Sequence, residues 1–187
     1  MKITVKIGLL FAIIWMIVKI SLFGMALENT LALSIATFAN MFLLVAAISI
    51  GLYLQKRKDS ESGNALRDIK NGLTSGIPYA VLVSIFIYFY YEKIDPEFNQ
   101  HQIAESEIEL DKNLNNPAKF KQLQESNPDF EVMTKAQIKK QILRNSSGVY
   151  SAKSTAILAL LAMTVYSTIN SLLITAIYRK IVFKNKV

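Results

Sequence analysis

The sequence predicts an all-α membrane protein: four transmembrane helices, with an extracytoplasmic helical segment between the third and the fourth. Three observations predict it. Hydrophobic residues make up 52% of the 187 and charged residues 19%, below the charged share of about 25% typical of soluble domains. Charge is also segregated, since of 21 basic and 14 acidic residues only Lys19 falls within residues 7–27, 31–54, 73–91 and 155–178. A soluble domain spreads charge over the outer face of every amphipathic helix, so this separation makes lipid the solvent of nearly half the chain. Each apolar run is also about as long as the roughly 20 residues that cross a hydrocarbon core, where only a helix satisfies its own peptide groups.

The same composition bounds the chemistry. A net charge of +7 would suit nucleic acid if the basic residues covered a folded aqueous face, but they flank the apolar runs, so no nucleic-acid partner is expected. With no cysteine there is no thiol nucleophile, disulfide or cysteinyl zinc site, and the single histidine, His101, leaves little for a metal. No metal or cofactor is expected.

The first span follows Lys2 and Lys6 and is apolar to Leu27 apart from Lys19. A secretory signal peptide is the rival reading, because Gly24-Met25-Ala26 resembles a cleavage site. Retention as a span is favoured, since the run outlasts an h-region of about 7–15 residues and carries a lysine late in it. An ionisable residue inside a span is a functional candidate by default, but Lys19 sits in the second half of its helix. Its stem could carry the ammonium towards the interface near Glu28, which makes a structural role the expectation. Only Glu28 to Thr30 separates this span from residues 31–54, so the two form an antiparallel hairpin. Asn40, near the middle of the second span, is expected to hydrogen-bond to another helix. Tyr53 reaches the headgroups and Lys56-Arg57-Lys58 ends the span.

Residues 55–71 are polar, with the turn formers Ser60, Ser62, Gly63 and Asn64. Leu66, Ile69 and Leu73 then fall at helical spacing with Arg67, Asp68 and Lys70 opposite, which predicts a short interfacial helix leading into the third span. In that span Gly72, Gly76, Ala80 and Ser84 recur at every fourth position and form a strip where another helix can approach closely. Pro78 cannot donate to the carbonyl of Thr74 and predicts a bend unless the helix starts late. The span closes on Tyr88-Phe89-Tyr90-Tyr91, an aromatic belt.

Residues 92–153 form the largest aqueous segment. Three helices are expected: about 97–114, a second from Asn116-Pro117 to about Glu125, and a third opened by a Thr134/Gln137 capping box. The acidic run Glu105, Glu107, Glu109 and Asp111 alternates, which scatters it around a helix instead of building a metal cage. With so few large hydrophobes this segment is not expected to bury a core alone, and is expected to lean on the bilayer or on a partner. In the last span Thr164, Ser167, Ser171 and Thr175, spaced three and four apart, make a hydroxyl-bearing face with Asn170 beside it. It is read as the packing counterpart of the strip on the third span, with a polar channel lining as the alternative. The tail sets Arg179, Lys180, Lys184 and Lys186 around Ile181-Val182-Phe183, which favours anionic lipid.

With both termini in the cytoplasm, that side carries eleven Lys or Arg and the first hairpin none; the nine in residues 92–153 are mixed with ten acidic residues in a long loop that escapes the charge rule. Both ends are therefore expected inside and residues 92–153 outside.

The order of spans, the run from Gly63 to Gly76, Ile94-Asp95-Pro96-Glu97-Phe98 after the third span, and Ser171-Leu172-Leu173-Ile174 leading to Arg179-Lys180 together resemble a known family. These are the small four-span membrane proteins of Bacteroidota catalogued as domain of unknown function 4199. The sequence departs from that pattern at Asn64-Ala65-Leu66, where members often carry Ser-Phe. The resemblance implies a bacterial inner membrane and a role in the envelope, and carries over no site residues.

The functional expectation is a non-enzymatic accessory or scaffold subunit of an envelope complex. Its partners are the lipid bilayer and other membrane or envelope proteins, with self-association as a further way to use the packing faces. The alternative is a small transporter or channel component with a polar path near Lys19, Asn40 and the last span, although no inverted repeat is visible. Catalysis needs converging acids, bases or nucleophiles, and the spans hold no carboxylate, histidine or cysteine, so no enzyme is expected.

Overall fold

The structure, a computed structural model, describes residues 1–25, 29–58 and 64–182. The expectations placed on Glu28, on Ser60, Ser62 and Gly63, and on Phe183, Lys184 and Lys186 lie outside the described residues. Every regular element among the described residues is helical. Four helices are long and apolar enough to cross a bilayer, through Ile3–Gly24, Leu31–Lys58, Ala65–Ile94 and Ala152–Val182.

In chain order these are α1 (Ile3–Gly24), α2 (Asn29–Lys58) and α3 (Ala65–Phe89), which passes into a π-helical turn, Tyr90–Ile94. Then come α4 (Pro96–Asn115), α5 (Pro117–Ser126), a 3-10 turn (Pro128–Phe130) and α6 (Lys135–Val149). The last, α7 (Ala152–Ile177), also ends in a π-helical turn, Tyr178–Val182. The chain falls into two compact units: Met1–Phe86 with the final span, and Ile87–Thr155.

In the membrane unit α1 buries Thr4, Gly8, Ala12, Trp15, Lys19 and Leu22, steps of three and four that keep one stripe facing its neighbours. The opposite faces of α1 and α7 expose Leu10, Ile13, Ile17, Leu161, Val165 and Leu173, as a lipid-facing surface should. α3 departs from the expectation. Instead of a separate interfacial helix followed by a span, one α-helix runs from Ala65 to Phe89 with Pro78 inside it. Two residues of its first turn also depart from the expectation, Leu66 being 73% exposed and Asp68 only 3%, while Arg67 and Lys70 are exposed as expected. The physical reason is the pair of cations that Asp68 meets, described below.

The second unit corrects the expectation that residues 92–153 lack a core of their own. Leu110, Leu114, Phe130 and Ile138 form a buried cluster, with Phe120, Leu123, Met133, Ile142 and Leu143 packed against it. The hydrophobes are few on each helix, but α4, α5, the 3-10 turn and α6 pool them. Local caps fix these elements as their sequences predict. Asn116 Oδ1 accepts from the backbone N–H of Ala118 at 3.0 Å and Lys119 at 3.4 Å, while Thr134 and Gln137 close a reciprocal capping box. Tyr91 stacks on Phe98 at 4.9 Å between ring centroids.

Candidate functional site

The polar groups of the membrane unit gather on the inner faces of its helices, and α3 is the element they share. Ser75 is fully buried, and its hydroxyl donates to Ala47 O at 2.8 Å and is 3.0 Å from Thr4 O. One side chain thus ties α3 to α1 and α2. It fits because both neighbours present glycine there: a Cβ on Gly8 would run into the carbonyl of Ser75, and one on Gly51 would lie 2.6 Å from Ser75 Oγ. Glycine is required at these positions for close approach, the use that small residues have between helices in lipid.

The predicted packing strip is met by the predicted hydroxyl face. A Cβ on Gly72 would lie 3.0 Å from Ser171 Oγ, and one on Gly76 would overlap Ser167 Oγ, a register expected of antiparallel helices. Ile48 of α2 closes the same seam, 3.4 Å and 3.2 Å from those two Cβ positions. Ala80 and Ser84 continue the strip as buried residues, with the Ser84 hydroxyl donating to Ala80 O at 2.8 Å. On α7, Thr164 donates to Leu160 O at 2.7 Å, while Ser167, Ser171 and Thr175 are buried without a hydrogen-bond partner, as is Thr4 Oγ1 on α1.

Asn40 links three helices. It accepts from the Tyr79 hydroxyl at Oδ1, at 2.7 Å, and its Nδ2 lies 3.4 Å from Met163 Sδ. Lys19 is 7% exposed and shares the inward stripe of α1 with Trp15, whose indole N–H donates to Ala36 O at 2.9 Å. Lys19 is therefore buried within the unit rather than extended along its surface.

One cluster has no counterpart in the sequence reading. Asp68, in the first turn of α3, takes the Lys56 ammonium at 2.9 Å and 3.1 Å through its two oxygens and the Arg179 guanidinium at 2.8 Å through Oδ2. The Lys56 and Asp68 side chains are each 4% exposed and Arg179 22%. A carboxylate so removed from water is held by charge-assisted hydrogen bonds from both sides. The tie joins the end of α2, the start of α3 and the end of α7. The sequence offered only a weak signal: Asp68 is one of three acidic residues, with Asp59 and Glu61, among nine Lys or Arg flanking the spans at residues 2–6, 56–70 and 179–180.

In the other unit the acidic run is not simply a scattered, solvated face, because two of its members converge on one cation. Glu107 and Asp111 both reach Lys139 of α6, at 2.9 Å and 2.8 Å, and Glu105 pairs with His101 at 3.4 Å. Hydrogen bonding to Asp111 and then to Glu107 raises the Lys139 pKa above the ordinary lysine value. An open concavity of about 470 Å³ between α4, α5 and α6 is floored by Leu110, Leu123 and Ile142. Among the described residues no group of three or more His, Cys, Asp or Glu side chains is placed to hold a metal ion.

No curated protein and no solved structure matches the chain. A family profile does, that of the protein of unknown function DUF4199, over residues 6–180. A match of that length, on a chain whose helices include four apolar enough to cross a bilayer, makes the protein a member of the DUF4199 family.

Proposed function

We propose that the protein is a non-enzymatic scaffold or accessory subunit of a bacterial envelope complex. It would sit in the inner membrane with both termini in the cytoplasm and residues 92–153 outside. The observation that carries this reading is the seam between α3 and α7: the hydroxyl face that could have lined a polar path is seated against Gly72 and Gly76, so close that a methyl group at either position meets a serine. An interior used up in packing leaves the lipid-facing surfaces and the separately cored helical unit as the parts that can engage partners. The test is crosslinking in native membranes from exposed positions of that unit, such as Val132 and Ile108, followed by extraction in mild detergent and mass analysis. A defined stoichiometric partner supports the reading; a stable monomer that crosslinks to nothing argues against it.

A second reading, a transporter or channel component, draws on the buried hydroxyls without partners at Thr4, Ser167, Ser171 and Thr175 and on the inward positions of Lys19 and Asn40. Solute or proton flux in liposomes that disappears in Lys19→Leu would replace the first reading with this one. Absence of flux in the parent protein would remove it.

A further inference from the structure

We propose that the end of the membrane unit where α2 stops, α3 starts and α7 stops binds the phosphate groups of anionic lipids. Three observations converge there. The exposed side chains at this end include Arg57, Lys58, Arg67, Lys70 and Lys180. Of the three acidic residues between positions 56 and 70, Asp59 and Glu61 lie outside the described residues, and Asp68 is withdrawn from the surface, 3% exposed and engaged by Lys56 and Arg179. Large apolar side chains stand exposed between the cations, Leu66 on α3 and Ile181 beyond α7, and Tyr53 and Tyr178 meet edge to face at 6.5 Å beside them.

The buried triad makes this a surface of fixed spacing. Asp68 offsets the repulsion of the two innermost cations and, through Arg179, holds the basic end of α7 against the basic ends of α2 and α3. A diester phosphate at the head of a lipid suits that surface, because its charge meets the cations while its chains lie along the exposed apolar flanks. A free anion gains nothing from Leu66 or Ile181. A zwitterionic headgroup brings its own cation and gains less from the field. The inference is independent of the scaffold reading, since it concerns lipid and holds whether or not a protein partner exists.

The experiment uses the full-length chain reconstituted in nanodiscs of mixed phosphatidylglycerol and phosphatidylcholine, released into mild detergent, with retained lipids counted by native mass spectrometry. The expected result is preferential retention of phosphatidylglycerol, reduced about a hundredfold or more in R57Q/K58Q/K70Q/K180Q, since each of the four cations near an anionic surface contributes about a fivefold preference. The same number of changes on exposed lysines of α4, α5 and α6, K112Q/K119Q/K121Q/K140Q, leaves retention unchanged. Equal retention of both lipids, an undiminished preference in the first variant, an equal loss in the second, or displacement by inorganic phosphate at matching concentration overturns the proposal. If the first variant does not fold, salt decides with the unaltered protein: the preference falls as salt screens the cations, and a salt-independent preference overturns it.

Discussion

Asp68 ties the ends of three helices to one carboxylate. Its carboxylate is nearly inaccessible and is the acceptor for two cations brought from positions 12 and 111 residues away. Removing one member of such a set leaves a buried charge without compensation, so Asp68→Asn is expected to destabilise the protein by about 3–5 kcal/mol. The apolar pair Lys56→Met with Asp68→Leu should recover most of that loss, because Arg179 is near enough to the surface to be solvated; unfolding in a detergent titration reads both. A single-variant effect under 1 kcal/mol, or a double variant worse than the single, would show that the triad is not what joins these helix ends. The sequence pointed elsewhere for Asp68, and the reason is physical. Leu66, Ile69 and Leu73 do form an apolar stripe, but in a membrane protein both lipid and helix partners are apolar, so a stripe does not reveal which side is interior. Lys19 was legible as an unusual residue, and its inward direction was not, because direction depends on how α1 is rotated.

Elements were far more legible than side-chain directions. Each span was visible because a hydrocarbon solvent imposes length and excludes charge over a whole helix, a constraint that no single residue can hide. The complementary strips on α3 and α7 were visible too, since small residues at every third or fourth position lie on one helical face. Gly51 was legible as a small position of the second span, but Gly8 was not singled out, although Thr4, Gly8, Ala12 and Trp15 mark the inner stripe of α1 at the same spacing. This gives a sharp contrast within one helix. A Cβ on Gly8 meets backbone, the carbonyl of Ser75, whereas one on Gly24 has nothing within 4 Å. Gly8→Ala should therefore force α1 away from α3 at about 1–3 kcal/mol, and Gly24→Ala should be close to neutral; matching thermal midpoints for the two would refute the close approach. In the other unit the tie between α4 and α6 has a pH signature. The Lys139 pKa is raised in the folded state, so its contribution is complete below the ordinary lysine pKa and is lost as pH rises through the raised value. Stability of this unit should fall in strongly alkaline solution more steeply than in Lys139→Gln, and identical alkaline profiles would dismiss the tie.

At the scale of the whole molecule the division into two compact units was only partly legible. The sequence marked residues 92–153 as aqueous and helical, but the small number of large hydrophobes hid the shared core, since Phe120, Phe130 and Met133 lie in short elements and the turn between them and contribute one or two side chains each. A core assembled that way predicts a cooperative unit: a fragment spanning residues 92–153 should be helical by circular dichroism and melt in one transition, and Phe130→Ala should remove about 3–5 kcal/mol. The membrane topology can be tested with equal economy because the chain has no cysteine, so each introduced thiol reports alone. Lys2 flanks the first span, while Lys121 is an exposed residue on α5. Charge asymmetry sets orientation through short basic flanks and little through a long mixed loop, so the proposed orientation puts Lys2 in the cytoplasm and Lys121 on the opposite face. A membrane-impermeant maleimide applied to intact spheroplasts should then label Lys121→Cys at once and Lys2→Cys only after permeabilisation. A third thiol at Lys180→Cys, beyond an even number of crossings, should behave like the one at residue 2. Labelling of residues 2 and 180 from opposite sides would mean that one of the four apolar helices does not cross, and labelling of both from outside would invert the orientation while leaving the helix count intact.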